Sequence, residues 1–386
     1  MPSIHRLPVE VQNRIAAGEV VERPSAAVKE LIENSIDAGS RHIAIAIEEG
    51  GRRLIRVRDD GCGMDETDLA LCIERHATSK IRDLDDIYHL SSLGFRGEAL
   101  ASIAAVSRLR IVSALPGAAT GHELIVVNGK CERLSPTAAA PGTTVEVRDL
   151  FQATPVRLKF LRSPAAEASA IAETVVRLAL ARPEVAFRLE NHNRRVMDLP
   201  PQQDMRSRIA AIFGCELAEL LAPVALDPFS GLGISGFVAR YPESRPTSSH
   251  VYVIINGRWI RHPALARVIA DAYDGALPPR RYPFAVLRLD LDPQQVDVNV
   301  HPTKEEVRFA DERLLLGTVA RAVREALRQP IKSARMPPAA PATAPLPIRQ
   351  TARSLVTEPA AVYAPQPALR QPQPENRETS PALADA

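Results

Sequence analysis

The feature that most constrains the fold of this chain is the stretch of residues 23–39, RPSAAVKELIENSIDAG. Pro24 suits the first turn of a helix, where its missing N–H has no intrahelical partner, and Gly39 suits the helix end. Apolar residues at helical spacing give the helix one face for a core, namely Val28, Leu31, Ile32 and Ile36. A second, polar face carries Glu30, Asn34 and Asp37. Taken alone, this polar face is more typical of a solvated surface than of a functional site.

Two strands are predicted after this helix, and they lead into a run of acidic and small residues. Isoleucines alternate in residues 43–47, as in a half-buried strand, and residues 54–58 return as a hairpin partner. The second strand ends in Asp59, which is followed by Gly61 and Gly63. A carboxylate there could accept a hydrogen bond from an amino group such as that of adenine, and glycines allow close approach to the backbone. The alternative is an ordinary tight turn, in which Asp and Gly are common.

Two later glycine motifs are candidates for the same site. Gly94 and Gly97 precede a predicted helix over residues 98–106. A glycine loop at a helix N-terminus presents backbone N–H groups that suit phosphates, although an ordinary flexible loop has the same composition. Gly142 and Thr143 enter a predicted strand and are a weak signal by themselves.

The order of the predicted elements indicates two α/β domains and a tail. In residues 1–200, mixed strands and helices with hairpins favour a two-layer α/β sandwich over a doubly wound sheet. The pattern restarts after a proline pair near residue 200, and residues 205–330 are predicted to form a smaller α/β domain. Residues 331–386 hold 11 of the 33 prolines and are predicted to be a disordered linker, because they lack apolar surface to offset the entropy of ordering.

Charge and composition narrow the classes of protein. The net charge of +2 gives no general affinity for nucleic acid, so any nucleic-acid surface has to be local. The four cysteines are scattered and lack the spacing of zinc ligands. We therefore expect a protein of a reducing compartment that has no structural metal. No apolar run is long enough to span a membrane and the first residues do not resemble a secretory signal, so we expect a cytoplasmic protein without a membrane partner.

The order and spacing of four motifs resemble those of the GHKL ATPase superfamily: E-x-x-x-N on a helix, D-x-G-x-G after a strand, G-x-x-G before a helix and G-T on a strand. Longer strings are similar to the MutL family of mismatch-repair proteins. These strings are NRIAAGEVVERP, KELIENSIDAG, DDGCGM, RHATSKI, LGFRGEALASIAAVS and VDVNVHPTKEEVRF. The resemblance covers about residues 1–330. It implies an α/β fold with two domains. The first would be a two-layer α/β sandwich of the GHKL (Bergerat) ATPase type, and the second would be a smaller α/β transducer domain with a fold similar to that of a ribosomal protein.

The resemblance implies roles for individual residues at the base and metal end of an ATP site. Glu30 would polarise the attacking water, and Asn34 would hold Mg²⁺ through its carbonyl oxygen. Asp59 would bind the adenine amino group, Gly63 would let the base pack closely, and Thr143 would support a water beside the base.

The same resemblance implies the residues of the phosphate end. A lid over ATP would span residues 74–98 and include Thr78, Ser79 and Lys80. Backbone N–H groups of the glycine motif would wrap the phosphates, at Gly94, Phe95, Arg96 and Gly97. Lys304 would reach the γ-phosphate from the second domain. A solvated surface lysine is the alternative, and the surrounding HPTKEEVRF string favours the ligand role.

Partners are also implied by the resemblance. ATP would order residues 1–22 as a dimerisation segment and join two N-terminal halves as a homodimer, which slow hydrolysis then releases. DNA is the expected polymer partner, which would associate the protein with the nucleoid. The arginine-rich residues 240–281 could contact its phosphates with little sequence readout, and a solvated face is an equal alternative. The candidate DNA contacts are Arg258, Arg261 and Arg267. Expected protein partners are a MutS-type mismatch sensor and, further, a nicking endonuclease and a repair helicase.

Two alternatives remain open. The first is a nucleotide-gated scaffold that binds ATP, DNA and partners without significant turnover, and the presence of Glu30 argues against it. The second is a gyrase-like ATPase half, against which the NRIAAGEVVERP and GFRGEAL strings argue. No C-terminal dimerisation or endonuclease domain is visible in the sequence, so nicking activity of this chain is not predicted.

Overall fold

A computed structural model describes residues 17–18, 20–81, 93–94, 97–226, 231–297 and 307–329. All of these residues lie in one compact unit, Met1–Ile331. The predicted disordered linker lies outside the described residues, as do most of the predicted dimerisation segment and part of the predicted lid. Helices and strands are numbered in chain order among the described residues.

The first sheet is mixed and has eight strands in the order β5-β4-β3-β6-β2-β1-β7-β8. Its strands are β1 (His42–Glu48), β2 (Leu54–Asp59), β3 (Arg108–Ala114), β4 (Gly121–Val127), β5 (Lys130–Thr137), β6 (Gly142–Arg148), β7 (Ala186–Asn191) and β8 (Arg194–Leu199). The predicted hairpin of β1 and β2 is confirmed, and β1 also pairs in parallel with β7.

Helices pack on one face of this sheet. Among the described residues, the helices of this part include α1 (Pro24–Asp37), α2 (Glu66–Leu71), α3 (Ala99–Ala105), α4 (Pro155–Phe160) and α5 (Pro164–Ala181). Along β1, Ile43, Ile45 and Ile47 are buried, whereas the residues between them are exposed or half-buried. Such alternation is typical of a sheet with helices on one face and solvent on the other. The predicted two-layer α/β sandwich is therefore confirmed.

The second sheet has five strands in the order β12-β11-β13-β10-β9. Its strands are β9 (Leu221–Leu226), β10 (Leu232–Ala239), β11 (Val251–Ile255), β12 (Arg258–Ile260) and β13 (Ala285–Leu291). The remaining elements are α6 (Met205–Phe213), α7 (Cys215–Glu219), α8 (Pro263–Asp271), the ribbon of β14 (Val296–Asp297) and β15 (Arg308–Phe309), and α9 (Glu312–Arg328). Every residue of β11 is buried, because apolar clusters cover both faces of this sheet.

One hydrophobic core joins the two sheets. Phe213 at the end of α6 packs edge-on against Phe284, with ring centroids 4.9 Å apart, and lies 6.0 Å from the Tyr252 ring. These aromatic side chains pack in or against the same buried cluster as α1, α5 and the first sheet. Arg177 of α5 lies 3.8 Å above the ring of Trp259 in β12. The predicted boundary near residue 200 thus falls between two sheets with common apolar contacts, and the division into two domains stays a prediction.

A histidine caps α8 and links its stability to pH. The Nδ1 atom of His262 accepts a hydrogen bond from the N–H of Leu265 at 3.2 Å, and its Nε2 lies 3.5 Å from Glu312 Oε1. Burial lowers the pKa of His262, and the Glu312 carboxylate offsets this only in part. Protonation of Nδ1 would remove the lone pair that accepts the capping bond and place a positive charge at a helix N-terminus.

Replacing His262 by asparagine should make the fold less sensitive to acid. Because the folded pKa lies below the unfolded value of about 6.5, the unfolded chain takes up more protons as the pH falls below it, and the parent loses stability. Asparagine keeps a capping oxygen and does not titrate. Between about pH 7.5 and about pH 5.5, the variant should lose less unfolding free energy than the parent, by up to about 1 kcal/mol in urea titrations. Equal losses in both proteins would contradict this, since His250, whose pKa burial also lowers, is present in both.

Candidate functional site

Asp59 at the end of β2 is held in a fixed orientation by three donors. Its Oδ1 accepts the N–H of Gly61 at 2.9 Å and that of Thr143 at 3.3 Å, and its Oδ2 accepts the hydroxyl of Ser35 at 2.9 Å. Asp59 is 8% exposed, and Thr143 lies opposite it where β2 pairs with β6. A carboxylate oxygen has two lone pairs, so Oδ2 keeps one for a further donor. The structure thus brings together Asp59 and Thr143, both predicted for the base end.

Gly63 lies in the same neighbourhood, against the end of β3. Its φ is +69°, and a Cβ at this position would lie only 2.1 Å from the carbonyl oxygen of Ala114. The hydroxyl of Ser113 accepts the N–H of Met64 at 2.8 Å and lies 2.9 Å from Thr143 Oγ1. Only glycine fits at residue 63, because a side chain would clash with the backbone of β3.

The polar face of α1 meets Lys80. The Lys80 Nζ donates to Asn34 Oδ1 at 2.9 Å and to Asp37 Oδ2 at 2.5 Å. Amide and carboxylate oxygens are ligands that suit hard cations, and here the ammonium is the cation that they hold. The side-chain oxygens of Asn34 and Asp37 are therefore of the chemical type that the predicted Mg²⁺ role of Asn34 needs.

The loop at Leu93 and Gly94 is fixed between α1 and the second sheet. Asp37 accepts the N–H of Leu93 at 2.8 Å through Oδ1 and that of Gly94 at 3.0 Å through Oδ2. The guanidinium of Arg258, in β12, donates to the carbonyl oxygen of Leu93 at 2.8 Å. In this arrangement the Gly94 N–H, predicted to bind phosphate, donates to Asp37.

Glu30 lies one helical turn before Asn34 on the same face of α1. Its side chain is 14% exposed, and its Oε1 lies 3.7 Å from the Nζ of Lys29. A largely buried carboxylate acts as a general base only when a ligand places a proton within reach. The predicted role of Glu30 stays a prediction.

The other predicted phosphate-end residues fall into two groups. Thr78 Oγ1 accepts the backbone N–H of Lys80 at 3.2 Å, and Ser79 is exposed. Gly97 has a φ of +61°, and a Cβ there would lie 2.4 Å from the carbonyl oxygen of Ala77, so the two ends of the predicted lid are in contact. The predicted residues outside the described part of the chain are Phe95, Arg96 and Lys304.

The structure contradicts one of the predicted DNA contacts. Arg258 is 8% exposed and its guanidinium is used inside the protein, so it does not present its charge to a phosphate. Arg240, from the same arginine-rich stretch, donates to the carbonyl oxygen of Leu327 near the end of α9. Arg261 and Arg267 are exposed, and their contact with DNA stays a prediction.

Three residues of this region were not predicted as site residues. Asp37 was recognised only as part of a polar face, although its spacing from Asn34 was the signal that could have identified it. Ser35 and Ser113 support Asp59 and Thr143 through their hydroxyls. Nothing in the sequence marks these two serines, because their partners are distant along the chain.

The described ranges hold neither a metal-binding cluster nor a membrane-spanning helix. They contain no group of three or more His, Cys, Asp or Glu side chains that could hold a metal ion, so Mg²⁺ at Asn34 would need ligand oxygens from the nucleotide or water. Within the same ranges, no helix combines the length and the apolar character that crossing a bilayer requires.

Two protein families match separate parts of the chain. Residues 22–136 match the family described as "Histidine kinase-, DNA gyrase B-, and HSP90-like ATPase". Residues 209–328 match the family described as "DNA mismatch repair protein, C-terminal domain". The first match contains the predicted motifs from Glu30 to Gly97, and the second contains α8, α9 and all five strands of the second sheet.

Curated relatives and solved structures agree with these matches. A relative from Syntrophotalea carbinolica, named DNA mismatch repair protein MutL, is 43% identical over 99% of this chain, which spans 58% of that relative. One of the same name from Rhizobium johnstonii is 48% identical over 84% of this chain and 54% of its own length. The chain thus spans less than two thirds of either relative. The Aquifex aeolicus MutL ATPase domain complexed with ADP is 26% identical, with a TM-score of 0.58 over 81% of this chain and 100% of that chain. The N-terminal domain of a DNA repair protein shares the fold, with a TM-score of 0.70 at 23% identity over 82% of this chain and 97% of that one.

Proposed function

Since the chain belongs to the MutL family of DNA mismatch repair proteins, we propose that it is a GHKL-type ATP hydrolase. It binds ATP with Mg²⁺ and hydrolyses it slowly, and bound ATP holds two N-terminal halves together. The observation that carries this proposal is the geometry of Asp59. Three protein donors orient its carboxylate and leave one lone pair on Oδ2, which suits an adenine amino group.

The phosphate end is supported by the oxygens and the ammonium on the polar face of α1. Asn34 would hold Mg²⁺, which when bound would neutralise phosphate charge. The Lys80 ammonium already lies against Asn34 and Asp37, and it has three protons to share among acceptors. Glu30 would orient the attacking water and accept its proton, because phosphoryl transfer depends mainly on positioning and charge neutralisation.

The role of this activity is a timed clamp. ATP would join two N-terminal halves through the dimerisation segment of residues 1–22, and hydrolysis would release them. In this way the protein would couple recognition of a mismatch by a MutS-type sensor to a nicking endonuclease and a repair helicase. The Aquifex aeolicus ATPase domain with bound ADP supports the nucleotide part of this proposal.

The proposal is tested by ATP turnover at several protein concentrations, with Mg²⁺ and with a chelator. If the active form is a dimer, turnover per protein molecule should rise with concentration over about a tenfold range and vanish with the chelator. Turnover per molecule that is constant with concentration would contradict the coupling to dimerisation. Bound ATP without phosphate release would favour the scaffold alternative.

DNA binding is a separate part of the proposal and rests on Arg261 and Arg267, which are exposed beside and on α8. Reversing both charges to glutamate should weaken binding to duplex DNA by about tenfold. The salt slope, which is the slope of the logarithm of affinity against the logarithm of salt concentration, should fall in magnitude by about 1 to 2. The charge-matched control reverses Arg194 and Arg195, which are exposed on β8 at the edge of the first sheet. If both double variants have the parent's salt slope, Arg261 and Arg267 are ordinary surface residues that do not contact DNA.

A further inference from the structure

Asp37 accepts hydrogen bonds from two stretches of the chain, at Lys80 and at Leu93-Gly94. Its Oδ2 lies 2.5 Å from Lys80 Nζ and accepts the N–H of Gly94 at 3.0 Å, and its Oδ1 accepts the N–H of Leu93 at 2.8 Å. The side chain is only 7% exposed. One carboxylate of α1 therefore fixes both stretches that the family resemblance assigns to the phosphates.

These donors differ in what they leave for a ligand. A backbone N–H donates one proton, and that of Gly94 is used by Asp37. The Lys80 ammonium has three protons, of which Asn34 and Asp37 take two. Its third proton remains available for a phosphate oxygen, so Asp37 and Asn34 determine where this ammonium lies and in which direction it can donate.

Close packing at Gly94 restricts the ammonium further. A Cβ at Gly94 would lie 3.0 Å from Lys80 Nζ and 3.7 Å from Asp37 Oδ2. The ammonium therefore lies directly against the backbone of Gly94, where a side chain would displace it.

Arg258 holds the same loop from the second sheet. Its guanidinium donates to the carbonyl oxygen of Leu93 at 2.8 Å, while the N–H of Leu93 donates to Asp37. Leu93 and Arg258 are both buried. The two peptide groups of Leu93 are thus bound by α1 on one side and by β12 on the other.

We infer that Asp37 is a positioning residue for the phosphate end of the nucleotide site, and that Arg258 supports it from the second sheet. This inference rests on the proposed ATP-binding function. Asp37 acts through the Lys80 ammonium and the Leu93-Gly94 backbone and does not itself bind the nucleotide. Loss of its charge should weaken recognition of phosphate groups and leave recognition of adenosine, which depends on Asp59, intact.

The test compares ADP with adenosine as ligands of the full chain, by calorimetry and by competition. In Asp37→Asn, one acceptor oxygen becomes an NH₂ group that faces protein donors, so ADP affinity should fall about tenfold or more. Adenosine affinity should stay within about twofold of the parent, because the base end is unchanged. Arg258→Lys, which lacks the planar guanidinium, should lower ADP affinity about threefold with the same adenosine affinity. This second variant tests the inference even if Asp37→Asn does not fold.

A double variant and a matched control complete the test. Because Asp37 and Arg258 both act on Leu93, the double variant should lose less ADP affinity than the product of the two single losses. Asp204 also accepts a backbone N–H, from Ser207 at 2.9 Å at the start of α6, so Asp204→Ala should lower Tm without changing the ratio of ADP to adenosine affinity.

The outcomes distinguish a failure of the inference about Asp37 from a failure of the proposed ATP-binding function. Unchanged ADP affinity in the single variants, or equal losses of ADP and adenosine affinity, would overturn the positioning role. A parent chain that binds no ADP would contradict the proposed function instead.

Discussion

Replacing Asp59 by asparagine is expected to remove most of the affinity for adenine nucleotides. Three protein donors point at this carboxylate, so an NH₂ group in place of either oxygen would face a donor or present a donor to the adenine amino group. Either arrangement leaves polar groups unpaired in a buried site. ADP affinity measured by calorimetry should fall by about 100-fold, or about 3 kcal/mol.

Two further variants test this interpretation of Asp59. Ser35→Ala removes one of the three donors and keeps both acceptor oxygens, so its loss of ADP affinity should be smaller, at about threefold to tenfold. Asp198→Asn is the control, since Asp198 forms an ion pair with Arg195 at 2.9 Å on the edge strand β8. If Asp59→Asn binds ADP as tightly as Asp198→Asn does, Asp59 is not at the base site.

Replacing Glu30 by alanine is expected to abolish most ATP turnover while nucleotide binding persists. A positioned general base contributes about 100-fold to 10,000-fold to rate, and Glu30 lies one turn before Asn34 on the polar face of α1. Phosphate release should therefore fall by that factor, with ADP affinity within about threefold of the parent.

The matched control for Glu30 is Glu325→Ala, which removes an exposed glutamate from α9. Its turnover should equal that of the parent. Turnover that does not depend on Glu30 would indicate another base or a contaminating enzyme. Parallel losses of affinity and turnover would assign Glu30 to binding rather than to the chemical step.

Local sequence patterns predicted the parts of the fold that have a strong periodic signal. Pro24 and the apolar face of the first helix predicted α1, and alternating isoleucines predicted β1 and its hairpin with β2. The glycines after the second strand predicted a close approach to the backbone, which Gly63 makes to Ala114, while the role of Asp59 stays a prediction. In each case the signal is contained in about ten residues, so the local pattern is enough.

The remaining features depend on residues that are distant along the chain. The strand β5 has no buried residue, and its sequence does not alternate between apolar and polar side chains. The local pattern therefore carries no signal for this strand. Arg258 lies in an arginine-rich stretch that is typical of a DNA-binding surface, yet it binds Leu93, 165 residues earlier. A buried arginine and an exposed one have the same local sequence signature, because the difference lies in the partner that the fold supplies.

The core that both sheets share has a consequence for how the chain unfolds. Tyr252 of the second sheet and Phe284, which directly precedes β13, belong to the same apolar cluster as α5 and the first sheet, and Phe213 of α6 packs against it. Arg208 of α6 is fully buried and donates to the carbonyl oxygens of Pro183 and Val185. A chain cut near residue 200 would therefore expose apolar surface on both fragments and leave polar groups unpaired. We therefore expect the two sheets to melt in a single cooperative transition, in which case the boundary between the sheets would not separate two folding units.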